Sequence, residues 1–414
     1  MHHFQYRNNE LFCEDVSVSD IADKIKTPFY LYSNATLKNH FRAFDDSFNG
    51  IEHLTCFSMK SNSNMAILKL FADEGGGVDI VSGGELYRAM KAGVDPKKIV
   101  YSGVGKTVEE MEYAIFSDIL MFNSESEQEL RTLNDVARRL KRKARVSVRV
   151  NPDVDPQTHP YISTGLKENK FGIDIKKSLE EYKVAAGLGN LAVTGISCHI
   201  GSQLTKVSPF VDAIGKIKNL VKKLQEAGIH IRYLDIGGGL GIRYNDENPP
   251  LPVEYAAAVR EELGDTNLTL ILEPGRVLVG NAGILVAKVL YTKSSGDKNF
   301  IIVDAAMNDL MRPSLYGSFH GIQSIKTGGR ERIKADIVGP ICESGDFLAK
   351  NREIESLEQG DLVAVMSAGA YGFSMSSTYN SRPRVAEVMA MGDRFHVIRK
   401  RETYEDLVKG EFEI

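Results

Sequence analysis

Short runs of apolar and β-branched residues alternate with longer amphipathic stretches over the first two-thirds of the chain. In one stretch Ile214, Ile217, Val221 and Leu224 recur at three- and four-residue steps, which form one face of a helix. The stretches tend to end at glycine, which favours a helix C-terminus. The candidate strands are FYLYS (29–33), LTCFSM (54–59), VDIVS (78–82), IVYSG (99–103), ILMFN (119–123), VSVRV (146–150), TGISCHI (194–200), RYLDIG (232–237) and LTLILEP (268–274).

Strands that alternate with helices predict βα units and a parallel sheet. When the first run is set aside, eight strands remain, which is the number that closes a (β/α)8 barrel. An open doubly wound sheet is the alternative. We therefore predict an α/β chain with a TIM-type barrel at residues 29–275.

The pattern changes beyond residue 276, where short apolar runs are separated by Gly, Asp and Asn turns. Such a pattern predicts a C-terminal antiparallel β domain. The turn Met391, Gly392 and Asp393 lies between two alternating runs and predicts a hairpin. Residues 1–28 contain little helical pattern, so we predict that they join residues 276–414 in one β-rich domain.

Composition and charge disfavour several classes of protein. The chain has 414 residues, 43% of them hydrophobic and 26% charged, as in an ordinary globular protein, and its net charge of -4 comes without a basic tract for nucleic acid. The first residues lack the apolar region of a signal peptide, and no run is long enough to span a membrane. Four cysteines lie far apart, which predicts reduced thiols in a cytoplasmic protein and no metal site.

Polar residues follow or end one candidate strand after another. In a barrel the carboxyl ends of all strands meet at one face, where active sites are built. The series is Lys60, Ser82, Ser102, Asn123, Arg149, His199, Gly237 to Gly239, and Glu273. So many coincidences favour a functional face over a plain scaffold, and they favour the barrel over the open sheet.

Three features of this face suggest a bound phosphate and an aldehyde. A lysine in a partly apolar site is a nucleophile towards aldehydes, and Lys60 would emerge at the mouth of the barrel; the alternative is a surface lysine that opens the next helix. Glycines in IGGGLG (236–241) and EPGR (273–276) would let backbone N–H groups approach a phosphate, or would simply form tight turns. Arg276 would add positive charge or bind a substrate carboxylate.

A lysine, a phosphate cradle and an acid form the pattern that suits pyridoxal phosphate. Glu273 is the candidate acid, because a carboxylate on the pyridine nitrogen favours its protonated form. His199 would lie flat against the ring, or it is a hydrogen-bonded core histidine. Asp79 is out of phase with its apolar neighbours, so it either supports the site or faces a polar layer.

The β-rich domain supplies three further clusters, which the sequence places in loops that are rich in Gly and Ser. Loops carry function more often than strands do. Singly, each residue also has a structural interpretation, as a core tyrosine, a buried thiol or a solvated arginine. The candidates are Arg312 and Tyr316, Cys342 and Glu343, and Tyr371.

Taken together, the motifs resemble those of the diaminopimelate decarboxylases, in the alanine-racemase-like fold class of pyridoxal phosphate enzymes. The resemblance covers nearly the whole chain. The motifs are CFSMKSN, VDIVSGGE, HIGSQ, DIGGGLG, LEPGR, GPICESGD and GAYGFSMSSTYNSRP, in the family's order. The first five are shared with ornithine- and arginine-type decarboxylases, whereas YISTGLKENKFGI (161–173), CESGDFLAK and the last motif are more like the diaminopimelate enzymes.

The resemblance implies site residues and a homodimer with active sites at its interface. Lys60 would be the Schiff-base lysine, His199 would stack on the ring, and Cys342 would donate the proton. The candidate cofactor-binding residues are Lys60, Asp79, His199, Ser202, Gly238, Gly239, Glu273, Pro274, Gly275, Arg276 and Tyr371. The candidate substrate-binding residues are Arg276, Arg312, Tyr316, Glu343 and Tyr371. Cys342 and Glu343 would come from the partner subunit.

The activity that the resemblance implies is decarboxylation of meso-2,6-diaminopimelate to L-lysine and carbon dioxide, the last step of lysine biosynthesis. The alternatives are another basic amino-acid decarboxylase of the ornithine or arginine type, and a non-catalytic relative that binds the cofactor. A racemase is disfavoured, because Glu273 favours a full electron sink. The expected partners are a small amino acid and a second copy of the chain, with no nucleic acid and no membrane.

Overall fold

Contacts divide the chain into two units in the computed structural model, which describes residues 2–155 and 170–411. The barrel unit comprises Phe41–Ile242 and Asn248–Val277. The β-rich unit comprises Met1–His40, Arg243–Glu247 and Leu278–Ile414. Of the motif at 161–173, residues 161–169 lie outside the described residues.

Eight parallel strands close the barrel, and neighbours in sequence are neighbours in space; a ninth, two-residue strand, Ile173–Asp174, pairs only with Ala144–Asn151. They are β1 (His53–Ser58), β2 (Gly77–Ile80), β3 (Ile99–Tyr101), β4 (Met121–Ser124), β5 (Ala144–Asn151), β6 (Leu191–Ser197), β7 (Tyr233–Asp235) and β8 (Thr269–Leu272). Strand β8 pairs with β1, where Leu270 lies opposite His53, so the sheet closes on itself. The predicted TIM-type barrel is confirmed, and the open sheet is excluded.

Helices connect the barrel strands. They are α1 (Met65–Asp73), α2 (Gly83–Ala92), α3 (Val108–Phe116), α4 (Glu127–Arg139), α5 (Ile175–Gly187), α6 (Ser208–Glu226) and α7 (Pro252–Leu263). The predicted periodicity of α6 is confirmed, since its buried face includes Ile214, Ile217, Val221 and Leu224. Ser82 is the N-cap of α2, where its hydroxyl accepts a hydrogen bond from the backbone N–H of Glu85.

The β-rich unit contains two sheets. Three short antiparallel strands form the first: Phe4–Arg7, Glu10–Cys13 and Val16–Ser17. The second runs Phe347–Glu355, Arg332–Val338, Lys298–Val303, Gly283–Ser295, Phe29–Ser33, Ala386–Met391 and Arg394–Arg399. Off this path, Leu362–Val365 pairs with Gly283–Ser295, and Ile322–Ser324 pairs with Leu362–Val365. Its helices are Val18–Ile25, the first part of Asn34–Asp45, Arg312–Tyr316 and Tyr404–Leu407; Arg276–Val279 spans the boundary of the two units.

Most strand pairs of the second sheet are antiparallel, as predicted for this domain. The predicted hairpin is present, with Met391 opposite Arg394. Two pairs are parallel instead, and one of them joins Phe29–Ser33 to Ala386–Met391. The prediction that the barrel domain begins at the run 29–33 is therefore wrong, because this run belongs to the second sheet. It is buried along its whole length, so its apolar pattern matches that of a barrel strand.

The described residues show neither a membrane-spanning helix nor a metal cluster. No helix in residues 2–155 and 170–411 is both long and apolar enough to cross a membrane. The same residues contain no group of three or more His, Cys, Asp or Glu side chains placed to hold a metal ion.

Candidate active site

The barrel interior changes from apolar to polar towards the carboxyl ends of its strands. Cys56, Val100, Leu120, Met121 and Ile271 form a buried apolar cluster. Buried polar residues occur at or near the carboxyl ends: Ser58, Asp79, Ser102, Asn123, Ser147, Ser197, Asp235 and Glu273. Burying so many polar groups costs free energy unless they are hydrogen-bonded or bind a ligand, so this layer is the candidate site.

Lys60 lies beside a buried carboxylate. A 3-10 turn, Met59–Ser61, directly follows β1 and carries it. Its Nζ is 3.1 Å from Oδ2 of Asp79, which also accepts a hydrogen bond of 2.8 Å from the Ser58 hydroxyl. Asp79 is fully buried, but 39% of the Lys60 side chain is exposed. The amine is therefore oriented by an ion pair and still accessible to a small molecule.

The segment Glu273 to Arg276 lies against the turn that carries Lys60. The backbone N–H of Ser58 donates to the carbonyl of Pro274 at 2.9 Å. A Cβ added to Gly275 would lie 3.1 Å from side-chain atoms of both Ser58 and Ser61, so glycine allows the close approach. Barrel closure thus brings the lysine and the late loop together, as predicted.

The glycine loop after β7 leaves no room for side chains. A Cβ on Gly238 would lie 2.1 Å from the carbonyl oxygen of Glu273. Gly239 has a φ of +118°, which L-residues rarely adopt, and a Cβ there would lie 2.4 Å from the carbonyl oxygen of Gly201. The loop therefore presents bare backbone, as a phosphate cradle requires.

Arg276 and Ser202 meet beside this loop. Arg276 is buried, and its Nη2 donates a hydrogen bond of 3.1 Å to the Ser202 hydroxyl. A buried guanidinium is costly unless anions or acceptors surround it. The pair is therefore suited to an anion such as a phosphate or a carboxylate.

His199 is held as a neutral ring. Its Nδ1 lies 3.2 Å from the backbone N–H of Gly238 and so accepts a hydrogen bond, which places the ring proton on Nε2. Burial lowers the pKa of His199 well below its usual range, and the positive charges of Lys60 and Arg149 lower it further. The geometry is compatible with both interpretations of His199. The ring is hydrogen-bonded, as in a core histidine, and it lies at the predicted face, as a residue that stacks on the cofactor would.

Glu273 is one of two neighbouring buried carboxyl groups. Burial raises its pKa well above the usual range, and the negative charges of Asp235 and Asp79 raise it further. A hydrogen bond links Glu273 to Asp235, and Asp235 also accepts from Asn123 Nδ2 at 2.8 Å and from the Gly237 N–H at 2.8 Å. Burial raises the pKa of Asp235 to about 6. The two donors at 2.8 Å favour its charged form, whereas Glu273 accepts from Ser102 and Asn123 only at 3.4 Å, so the proton of the pair lies on Glu273.

Arg312 is buried in the β-rich unit at the start of a short helix. His320 Nδ1 lies 2.8 Å from the carbonyl oxygen of Met366, which can only accept, so His320 Nε2 accepts from Arg312 Nη1 at 2.9 Å. The guanidinium also lies 4.6 Å from the ring centroid of Tyr244. Arg312 is thus held in one orientation by neutral groups. Tyr316, partly buried, ends the same helix.

The other candidates of the β-rich unit lie on two loops. Cys342 and Glu343 are exposed neighbours, and the Cys342 N–H donates to Asn380 Oδ1 at 2.9 Å. Tyr371 has a φ of 56°. A non-glycine residue in that conformation persists only where its surroundings impose it, which is common at functional sites.

Sequence reasoning assigned no role to Asp235 or Ser58. Asp235 is a single acid inside the apolar run RYLDIG, which was the available signal. Ser58 carried no such signal, because a serine that ends a strand is common and only the pairing of β1 with β2 places it against Asp79.

Comparisons with known proteins agree with this geometry. Residues 34–280 match the family described as "Pyridoxal-dependent decarboxylase, pyridoxal binding domain". A diaminopimelate decarboxylase from Pseudomonas aeruginosa is 53% identical over 408 residues, covering 99% of this chain and 98% of the relative. One from Aquifex aeolicus is 50% identical over 413 residues, covering 100% of this chain and 98% of the relative.

The chain belongs to the diaminopimelate decarboxylase family. A crystal structure of the Helicobacter pylori member complexed with L-lysine superposes with a TM-score of 0.92 at 44% identity, covering 94% of this chain and 98% of the other. The predicted family, fold class and enzyme class are therefore confirmed. Membership makes the chain a pyridoxal-phosphate-dependent lyase.

The barrel residues fit this cofactor. Lys60 offers an accessible amine for its aldehyde, and the bare backbone at Gly238 and Gly239 offers a cradle for its phosphate. Asp79 Oδ1 is buried without a hydrogen-bond partner among the described residues, which is typical of a site that a ligand completes. Glu273 offers a buried carboxyl group that would suit a ring nitrogen.

Proposed function

We propose that the chain decarboxylates meso-2,6-diaminopimelate to L-lysine and carbon dioxide, the last step of lysine biosynthesis. The observation that carries this proposal is the accessible Lys60 amine, held by buried Asp79 at the mouth of a barrel whose chain is about half identical to diaminopimelate decarboxylases along its full length. The bound cofactor supplies an electron sink for the carbon that loses carbon dioxide.

In the barrel unit we assign each residue by its contacts. Lys60 would hold the cofactor through its aldehyde, and Asp79 orients the Lys60 Nζ. Gly238, Gly239, Ser202 and Arg276 would hold the phosphate, and Pro274 and Gly275 keep that segment against the Lys60 turn. Neutral His199, held by the Gly238 N–H, would pack on the cofactor ring, and Glu273 would face its pyridine nitrogen.

Substrate recognition rests on charge at the end of the substrate that does not react. Arg312 and Arg276 bind the distal carboxylate, with Tyr316 beside Arg312 on the same helix. Glu343 binds the distal ammonium, and Tyr371 contacts cofactor and substrate. Ornithine lacks the distal carboxylate, so it would lose the ion pairs with these buried guanidinium groups, which is costly.

We further propose a homodimer in which Cys342 and Glu343 complete the site of the other subunit. Both side chains are exposed in the single chain, which supports a task outside their own fold. Cys342 holds a proton at Sγ and delivers it to the product carbon. A thiol suits that step because it carries an S–H proton that it can donate.

Mixing two inactive variants tests the shared site. Lys60→Ala and Cys342→Ala should each lose activity alone, because each removes a group that acts on the substrate. After exchange of subunits, half of the dimers are mixed and one of their two sites has both native residues, so about a quarter of wild-type activity should return. If the mixture stays inactive while subunits exchange, Cys342 serves its own subunit and the shared site is wrong.

The cytoplasm is the proposed location, with a small amino acid as the substrate and neither nucleic acid nor membrane as a partner. Three of the four thiols are buried, and all four cysteines are free. Reduced, unpaired cysteines are typical of that compartment. The balanced charge of 51 basic and 55 acidic residues supports the absence of a polyanion partner.

Carbon dioxide release from meso-diaminopimelate, ornithine and arginine, measured side by side, tests the substrate. We expect a preference for meso-diaminopimelate in kcat/KM of roughly 30-fold or more, because the broken carboxylate–arginine pair is costly. Preferential turnover of ornithine or arginine would favour the other decarboxylase class. No release from any of the three, with cofactor bound, would favour the non-catalytic relative.

A further inference from the structure

Asp235 lies inside the barrel, next to Glu273, the residue proposed to face the cofactor. It ends β7 and is 1% exposed. The backbone of the two neighbouring strands fixes its place, because the Ile236 N–H donates to Ile271 at 3.1 Å and the Glu273 N–H donates to Gly237 at 2.9 Å. The carboxyl groups of Asp235 and Glu273 therefore approach from adjacent strands.

Asn123 connects the two carboxyl groups. Its Nδ2 lies 2.8 Å from Asp235 Oδ2 and 3.4 Å from Glu273 Oε1. The Ser147 hydroxyl donates to Asn123 Oδ1, which fixes the amide with Nδ2 towards the carboxyl groups. The three side chains form one buried unit with a single bridging donor.

We propose that Asp235 is a positioning residue that keeps a proton on Glu273. Glu273 then supplies this proton to the pyridine nitrogen when the cofactor binds. This inference rests on the proposed role of Glu273. On transfer, the Glu273 O–H bond breaks and an N–H bond forms. The cluster then holds two carboxylates and one pyridinium instead of one carboxylate and one carboxylic acid, so its net charge is unchanged.

Unchanged net charge is the physical advantage of the arrangement. If the pyridine nitrogen took its proton from solvent, the net charge of the buried site would rise by one when the cofactor binds. Such a change of charge in a low dielectric costs free energy. Among the described residues, the other charged or titratable groups around the pair are Asp79 on β2, Lys60 after β1, Cys56 on β1, Cys198 after β6 and Tyr255 on α7. Of these, Asp79 acts in the same direction as Asp235, and Lys60 opposes both.

Proton uptake on cofactor binding is the direct test. Calorimetric titration of apoenzyme with pyridoxal phosphate, in buffers of different ionisation enthalpy at neutral pH, counts the protons taken up. Asp235→Asn removes the negative neighbour and offers Glu273 a donor, which favours the ionised form. We expect the variant to take up more protons than wild type, by up to about one per site. Equal uptake would overturn the proposal.

Asn123→Leu separates charge from general disruption. It removes the bridging donor but leaves both carboxyl groups, so uptake should match wild type even if the affinity for the cofactor falls. An increase equal to that of Asp235→Asn would show a nonspecific effect and contradict the proposal. If Asp235→Asn lacks the cooperative unfolding transition of a folded protein, Asp235→Ser is titrated in its place. The titration measures only the protons taken up when the cofactor binds. Its result can therefore be interpreted even if the proposed substrate is wrong.

Discussion

Replacing Lys60 with alanine should lower kcat by at least ~10³-fold and remove the covalent attachment of the cofactor. The reason is that Lys60 carries the accessible amine of the barrel mouth, 3.1 Å from Asp79. The cofactor should still bind, because the glycine loop, Arg276 and Ser202 do not depend on this amine. Steady-state turnover of meso-diaminopimelate and the absorbance of the bound cofactor measure the two effects.

Two further variants separate charge from bond formation. Lys60→Arg keeps a cation beside Asp79 but offers no comparable nucleophile, so it should be as inactive as Lys60→Ala. Lys97→Ala removes an exposed lysine that pairs with Asp118, and it should retain wild-type turnover. Substantial activity in Lys60→Arg would mean that Lys60 acts only through its charge, which would contradict its proposed bond to the cofactor.

Replacing Arg312 with methionine should reduce the discrimination between meso-diaminopimelate and ornithine. Arg312 is buried and oriented by His320 and Tyr244, so it is prepared for an anion before the substrate arrives. Losing one partner of a buried charge pair costs about 2–5 kcal/mol, which is roughly 30-fold or more in kcat/KM for meso-diaminopimelate. Ornithine should be affected far less, because it has no distal carboxylate.

Arg352→Met is the matched control. Arg352 is also an arginine beside His320, but its Nη1 donates to the backbone carbonyl of His320 at 2.9 Å and its guanidinium lies over Phe319. It should change stability more than selectivity. If Arg312→Met lowers turnover of meso-diaminopimelate and ornithine by the same factor, the arginine supports the fold or the chemistry and does not select the substrate.

The barrel was predictable because its signals are local. Each strand is a short apolar run followed by an amphipathic helix, as with the buried face at Ile214 and Leu224. The polar residues at strand ends also follow from sequence, since barrel closure places them on one face whatever the loops do. Lys60, Glu273 and the glycine loop could therefore be proposed as a group, and the structure brings their segments together.

Long-range pairing was less predictable. The run at 29–33 has the composition of a barrel strand, yet it pairs with Gly283–Ser295 and Ala386–Met391, more than 250 residues away. Nothing local in a fully buried strand marks its partner. Asp235 was missed for a related reason, because its importance comes from Asn123 and Glu273 on other strands.

The lysine that bonds the cofactor can be identified chemically. The holoenzyme is reduced with borohydride, digested and mapped by mass spectrometry, so that the aldehyde leaves a stable mark on the lysine it occupied. We predict the phosphopyridoxyl mass increment on the peptide that contains Lys60, and its loss in Lys60→Ala. A mark on any other lysine of the wild-type protein, with Lys60 unmodified, would contradict the proposed site.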